Sequence, residues 1–402
     1  MKSLNILMVF PQLPYPPESG GRIVTFEMVR FLLQRHQVRI ASLQHRSEDI
    51  ESAIHLEKMG AKVTMEKAPS RKSVPRLLRS VFSDCPYKAH RFYSKQLDLR
   101  IQNHLNLERF DVIHAQNFYM AQYIKGTEPC RKVYYKENYE GLLLKRYAAT
   151  LPNPVTRMFW QREAEKTSRF ETNLGRRFDA TLCISPADAE RLRAASPDID
   201  WQSIAPCINL DEHCYRRREQ SPPMLLFLGM LNYFPNVDAA EYFVRKIFPA
   251  VRNRVSGVEV CFCGHSPDSR MQRLSKYPGV KVIGSVDDPS DFMERCSVFI
   301  IPLRIGGGVR LKLLQALAKG CAVVSTSIGS EGLAFEHRKH LLIADEPDAF
   351  ADGVVQLLKD AALRESLGLQ GHRQVEQHYS PSIVLPSLER VYLGENNLSG
   401  RV

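Results

Sequence analysis

The sequence predicts an α/β protein of two doubly wound domains in tandem, each a mostly parallel sheet covered by helices. Three observations predict it. Short β-branched runs alternate with amphipathic helical stretches along nearly all of the 402 residues. Several of those runs are apolar almost without interruption, as expected for strands buried on both faces. The alternation breaks once, around Pro206 to Pro223, and then restarts.

In the first half, "LNILMVF", "QVRIASL", "AKVTM", "FDVIHA", "RKVYY" and "DATLCIS" read as strands. Helices fit between them, among them "GRIVTFEMVRFLLQRH" and a long segment from Val155 to Arg177. The stretch "PCINLDEHCYRRREQSPP" is polar and basic and ends in two prolines, which places a linker there. Beyond it, "MLLFLG", "VEVCFCG", "VKVIG", "SVFIIPL" and "CAVVST" read as strands again, and "PSIVLPSLERVYLG" as a closing helix. The expected organisation is an N-terminal domain over 1–215, a C-terminal domain over 216–378, and a helix in 379–402 that could pack back on the N-terminal domain. Ligands of open α/β sheets bind beyond the carboxyl ends of the strands, so two such domains predict a site in a central cleft.

Composition narrows the class. An apolar content of 44% and a charged content of 25% are ordinary for a globular chain. The longest apolar run is strand-sized, far short of the roughly 20 residues of a spanning helix, and no cleavage-site pattern follows it. A cytoplasmic chain without signal peptide is expected. Nine cysteines are scattered without a C-x-x-C pair, which fits buried free thiols in a reducing compartment. The net charge of +11 favours anionic partners: phosphorylated ligands, acidic lipid headgroups or nucleic acid. The chain has no nucleic-acid motif, so nucleic acid is not an expected partner.

The segment "RIGGGVRLKLLQALAKG", residues 304–320, poses an electrostatic problem. It reads as a strand exit, a glycine loop and a helix from about Val309 to Lys319, stopped by Gly320 as an αL cap. Leu311, Leu314, Leu317 and Ala318 would face the core, and Lys312, Gln315 and Lys319 another side. Arg310 and Lys312 then stand at a helix start, where the dipole disfavours cations. An anion held by the glycine loop reverses that balance. Arg offers phosphate a planar fork and Lys a point charge, whereas simple solvation of both side chains would cost only a few tenths of a kcal/mol. "ESGGRIVTFEMV" repeats the pattern: Gly20 and Gly21 precede a helix whose first turn holds Arg22.

At these residues the sequence resembles a family, the large retaining group of GT-B-fold glycosyltransferases often called family 4. The resemblance spans nearly the whole chain and is nearest to bacterial sugar transferases of exopolysaccharide-type clusters. "PLRIGGGVRLKLLQALAKGCAVVSTSIGSEGL" is its most specific part. "LFLGMLNYFPNVDAAEYF" resembles the start of the nucleotide-binding domain, and "FCGHSP" and "VIGSVDD" two later strand-end loops. "PQLPYPPESGGR" resembles the N-terminal glycine loop, and "KENYEGLLLKRYA" a mid-chain segment usually written His-Asn-x-Glu, here carrying Glu137, Asn138 and Glu140.

The resemblance implies a nucleotide-sugar donor held mainly by the C-terminal domain. Arg310 and Lys312 would hold the diphosphate, with Gly307, Gly308 and Val309 beside it and Gly20, Gly21 and Arg22 closing over it. Gly229, Gly264, Gly284 and Val286 would line the strand-end loops, the last pair near the base. Glu331 would contact the sugar or order its own loop. Two departures stand out. The family's paired-glutamate motif becomes Gly307 and Gln315, and Gln315 keeps one ribose acceptor while losing the charge. In "FDVIHAQNFY", Gln116 takes the place of a histidine near the sugar, and His114 shares its strand face by period two, as a cleft residue or a satisfied core residue.

Inverting transfer needs a general base beside the acceptor hydroxyl, and the sequence offers no convincing one. Front-face transfer with retention, the family route, needs mainly cations on the leaving diphosphate. It needs no metal: no D-x-D signal in the sequence demands one, and Asp287 and Asp288 read as loop and helix-cap residues. No other cofactor is expected. "SRKSVPRLLRSVF" sets Arg71, Lys72, Arg76 and Arg79 beside Val74, Leu77, Leu78, Val81 and Phe82, with Lys88, Arg91 and Lys95 beyond. Residues 70–100 therefore read either as a patch for anionic lipid, peripheral on the inner face of the plasma membrane, or as an ordinary surface helix. The expected function is transfer of a sugar to a glycan, lipid-linked or other glycoconjugate acceptor. The alternative is a non-catalytic nucleotide-sugar-binding partner of another transferase, motivated by Gln315 and Gln116. A dinucleotide-dependent dehydrogenase is disfavoured, since neither half has G-x-G-x-x-G after its first strand.

Overall fold

The structure, a computed structural model, describes residues 3–70, 80, 82–213, 215, 223–286 and 288–395. The chain divides into two units: Met1–Cys207 with Gly307–Val309 and Pro381–Val402, and Ile208–Gly306 with Arg310–Ser380.

The first unit is built on a seven-stranded sheet in the order β3-β2-β1-β4-β5-β6-β7. Its strands are β1 (Asn5–Phe10), β2 (Gln37–Gln44), β3 (Lys62–Lys67), β4 (Val112–Gln116), β5 (Arg131–Lys136), β6 (Ala180–Cys183) and β7 (Trp201–Ser203). Every pairing is parallel. Leu7, Val9, Ile113, Ala115 and Tyr134 from the central strands pack with Phe118, Met120 and the fully buried Trp201. Parallel strands need crossover helices on both faces, which explains the apolar run of β1 from Ile6 to Phe10 and the burial of every residue of β4. The C-terminal helix, Pro381–Tyr392, belongs to this unit and buries Val384, Leu385, Leu388, Val391 and Tyr392. Its Glu389 carboxylate reaches His36 Nε2 and Arg35, each at 3.1 Å, and its Val391 carbonyl accepts from Arg131 Nε at 2.5 Å.

The second unit holds a six-stranded sheet, β10-β9-β8-β11-β12-β13. Its strands are β8 (Met224–Leu228), β9 (Glu259–Cys263), β10 (Val280–Gly284), β11 (Val298–Ile301), β12 (Val323–Ser325) and β13 (Leu342–Ile343), again all parallel. Phe227, Phe262, Phe299, Phe243 and Phe350 fill its core. In each sheet the strand order reverses beside the first strand, between β1 and β4 and between β8 and β11. Such a reversal leaves a crevice at the carboxyl ends, where doubly wound sheets bind ligands.

The short strands β7 and β13 add to the sequence reading. The cysteines described are all free, and most are buried. Among the described residues, no helix is long and apolar enough to cross a membrane.

Candidate functional site

The reversal point of the second sheet gathers most of the expected donor residues. β11 ends at Ile301, and the loop through Arg304 and the three glycines leads to the helix Leu311–Ala318. That helix starts two residues later than the sequence predicts. Gly308 has φ +64°, and Arg310, the N-cap, has φ −94° and ψ 88°, so the backbone enters the helix only at Leu311. Arg310 is therefore a cap residue rather than part of the first turn. Its side chain is buried, and its guanidinium donates to the Ile328 carbonyl at 3.1 Å. Gly306 makes room for it, because a Cβ there would run into the guanidinium. Lys312 sits in the first turn. Its Nζ donates to Asn236 Oδ1 at 2.9 Å and stands 4.1 Å from the centroid of the Phe227 ring. Burial, reinforced by the charge of Arg310, pulls the Lys312 ammonium down to about 7.

Gly229 follows β8 at the same edge. A Cβ at this position would lie 2.8 Å from Lys312 Nζ and 2.7 Å from Asn236 Nδ2, so only glycine lets the three meet. Asn236 comes from the helix Phe234–Tyr242 and is itself held, donating through Nδ2 to the Met230 carbonyl at 3.0 Å. Two residues on, Asp238 takes both arms of Arg304, at 2.6 and 3.1 Å, and so ties the glycine loop to this helix. Gly264, at the end of β9, donates to the Gly284 carbonyl of β10 at 2.8 Å. Val286 follows β10, the edge strand, three strands from β11 and so about 14 Å away at the usual strand spacing. Gln315 is half-buried, one turn beyond Lys312. Lys319, expected on that same side, is instead buried and lies 3.9 Å from Glu294. Glu331 closes the short helix Ser327–Ser330, whose Ile328 carbonyl receives Arg310. Gly307, Gly308 and Val309 group with the first unit.

At the reversal point of the first sheet, Gly20 and Gly21 open the helix Gly20–Leu33, which has no acidic residue in its first turn. The anion set against Gly21 belongs to the chain itself. A Cβ on Gly21 would lie 2.5 Å from Glu137 Oε1. Glu137, just after β5, accepts from Gln116 Nε2 at 2.5 Å and from Asn117 Nδ2 at 3.2 Å. Burial raises its carboxyl above the usual range, against the pull of the Asn117 hydrogen bond. Gln116 also donates to Thr25 Oγ1 at 2.8 Å, so this expected catalytic side chain is a buried bridge between a helix and the end of β5. Arg22 lies 3.8 Å from Glu18 and is held below its usual value mainly by burial, which Asp49 and Glu18 oppose.

Of the two places expected for His114, cleft or core, the structure gives the core, which takes it out of the catalytic set. It is fully buried, its Nδ1 is 2.7 Å from the Tyr392 hydroxyl, and Phe10 and Tyr135 flank its ring. Burial lowers it to about 3, so it stays neutral and structural. Asn236 and Glu137 are the site residues that the sequence reading did not assign. Both lie within family-like segments, but only the fold reveals their partners.

Of the residues 70–100 read as a membrane patch, 71–79 and 81 lie outside the described residues. Lys88 is engaged internally, 2.8 Å from Glu140 and over the Tyr119 ring. Asp287 also lies outside them, while Asp288 accepts from the Ser290 amide at 2.8 Å. Among the described residues, no group of three or more His, Cys, Asp or Glu is placed to hold a metal ion.

Residues 222–360 match the family model described as "Glycosyl transferases group 1". Over 96% of this chain and 98% of its own length, an uncharacterized 44.6 kDa protein in the cps region of Klebsiella pneumoniae is 23% identical. The capsular polysaccharide biosynthesis glycosyltransferase CapM of Staphylococcus aureus is 28% identical over 30% of this chain and 32% of its own length. Anabaena HepE, solved in complex with UDP and glucose, superimposes with a TM-score of 0.67 at 13% identity, covering 96% of this chain and 99% of that one. The chain thus has the GT-B fold, two Rossmann-like domains with a C-terminal helix, and its segment 222–360 is similar to the group 1 glycosyl transferases.

Proposed function

We propose that this chain is a nucleotide-sugar-dependent glycosyltransferase that moves a sugar to a glycan, lipid-linked or other glycoconjugate acceptor. The observation that carries the reading is that Arg310, beside Gly306, and Lys312, beside Gly229, stand near enough for the charge of one to act on the other, at the reversal point of the second sheet. Burial and the nearby charge of Arg310 disfavour the charged form of Lys312, and a bound anion would favour it. A diphosphate fits: Arg310 offers a fork, Lys312 a point charge, and the loop backbone close approach. From there a nucleoside would extend along the strand ends toward Gly264, Gly284 and Val286, with Gln315 on the ribose. That the matched family segment contains this whole edge supports the reading.

Transfer with retention is the finer part of the proposal. When the donor's glycosidic bond to the diphosphate breaks, negative charge accumulates on the leaving phosphate. Arg310 and Lys312 stabilise that charge, and the phosphate oxygen takes the proton of the attacking acceptor hydroxyl. Acceptor recognition falls to the first unit, whose strand-end edge presents Glu137.

The test is incubation of the purified chain with a panel of nucleotide sugars, following release of nucleoside diphosphate and binding of UDP. Slow hydrolysis or transfer, lost in Arg310→Ala, is expected. Binding without turnover over long incubation would favour the partner-subunit alternative. A folded protein that binds no nucleoside diphosphate would defeat both.

A further inference from the structure

Glu140–Thr150 and Pro154–Gly175 form a helical hairpin in the first unit. Its open end is anchored. Glu171 and Lys136 make a fully buried ion pair at 2.5 Å, and the second Glu171 oxygen accepts from the Gly141 amide at 3.1 Å. The two helices approach so closely there that a Cβ on Gly141 would sit 2.8 Å from Ser168 Cβ. Its closed end is different. The first helix has 11 residues, so the tip stands roughly 16 Å from Glu140 at 1.5 Å per residue.

The tip is well built. Asn153 caps the second helix through the Val155 and Thr156 amides, and Arg157 donates twice to the Leu151 carbonyl. Yet it exposes large apolar side chains: Val155 at 68%, Met158 at 66% and Phe159 at 36%. Spaced i, i+3 and i+4, they form one stripe, a pattern normally buried. Arg162 and Arg169 continue along that face, both exposed. Lys145 and Arg157 flank the tip, and Glu165 is the exposed acid nearby. Trp160 lies behind Phe159 at 5.5 Å and stacks edge-on with Tyr147.

We infer that this hairpin tip docks on an anionic lipid surface, with Val155, Met158 and Phe159 entering the headgroup boundary and the basic shoulder contacting lipid phosphates. An apolar point ringed by cations, with an aromatic pair at the boundary, is what an interfacial helix presents. Charge argues against a second copy of this chain, since a two-fold contact would oppose two basic rims. The stripe is also small against the ~800 Å² that each partner commits to a stable protein interface. The inference stands apart from the proposed activity, because lipid binding needs no donor.

The experiment is flotation of the full chain with phosphatidylcholine vesicles, with and without a minority of phosphatidylglycerol. Binding is expected only with phosphatidylglycerol and should weaken as salt screens it. Met158→Asp combined with Phe159→Asp should lower it about tenfold or more, and Arg162→Glu with Arg169→Glu should remove the lipid-charge dependence. Unchanged melting temperatures certify that these surface variants fold. The wild-type chain gives a second readout: of its two tryptophans, Trp201 is wholly buried, so a blue shift on adding vesicles reports Trp160. Failure of the folded wild type to float with phosphatidylglycerol overturns the inference. So does equal binding by the aspartate variant, or dissociation of a dimer by that variant in the absence of lipid binding.

Discussion

Lys312 Nζ and Asn236 Oδ1 meet at 2.9 Å, so the ammonium is held by a neutral amide as well as by the face of the Phe227 ring. A neutral partner leaves the burial of charge uncompensated, so Lys312 is drawn down to about 7. A bound diphosphate favours the charged form. Below pH 7 the free protein already carries that proton; above it, binding must take one up. Affinity for UDP should therefore fall as pH rises above 7, approaching tenfold per pH unit. Calorimetry in buffers of different ionisation enthalpy should show proton uptake at pH 8 and almost none at pH 6.

Arg310→Ala should weaken UDP binding by about 1.5–3 kcal/mol, the range for a hydrogen bond to a charged group. Arg310→Lys should recover only part, because a point charge cannot serve the Ile328 carbonyl and a phosphate with one planar fork. Unchanged calorimetric affinity in the alanine variant would remove Arg310 from the site.

Gln315→Glu should leave donor affinity equal or tighter, since a carboxylate accepts ribose hydroxyls more strongly than an amide does. Its position a turn beyond Lys312 keeps the added charge off the glycine loop. Loss of binding in a folded variant would refute the ribose assignment.

Tyr392→Phe removes the hydroxyl 2.7 Å from His114 Nδ1 and leaves a buried ring nitrogen without that partner. Stability should drop by about 1–3 kcal/mol, read as a lower melting temperature. UDP affinity should not change, because both residues are buried within the first unit.

The alternation of apolar runs and amphipathic helices carried most of the fold, because parallel strands and their crossovers leave a periodic trace. β7 and β13 left none: three and two residues are too short to show a period. The donor edge was legible where the backbone geometry demanded glycine and where cations broke the dipole rule. Two kinds of residue escaped. His114 and Gln116 share a strand face by period two, but burial of that face depends on Tyr392, 278 residues from His114, and on Glu137 just beyond the end of a neighbouring strand. Asn236 looked like an ordinary residue of a helix start; only the lysine arriving from residue 312 gives it a role.

The C-terminal helix belongs to the unit that is synthesised first. A ribosome releases the residues up to Cys207 long before Tyr392 exists to meet His114 or Glu389 to meet His36. The second unit, nearly contiguous from Ile208 to Ser380, has its full complement of strands earlier than the first unit has its last helix. A premature stop codon a few residues before Tyr392 would therefore injure the opening domain and spare the one it interrupts least.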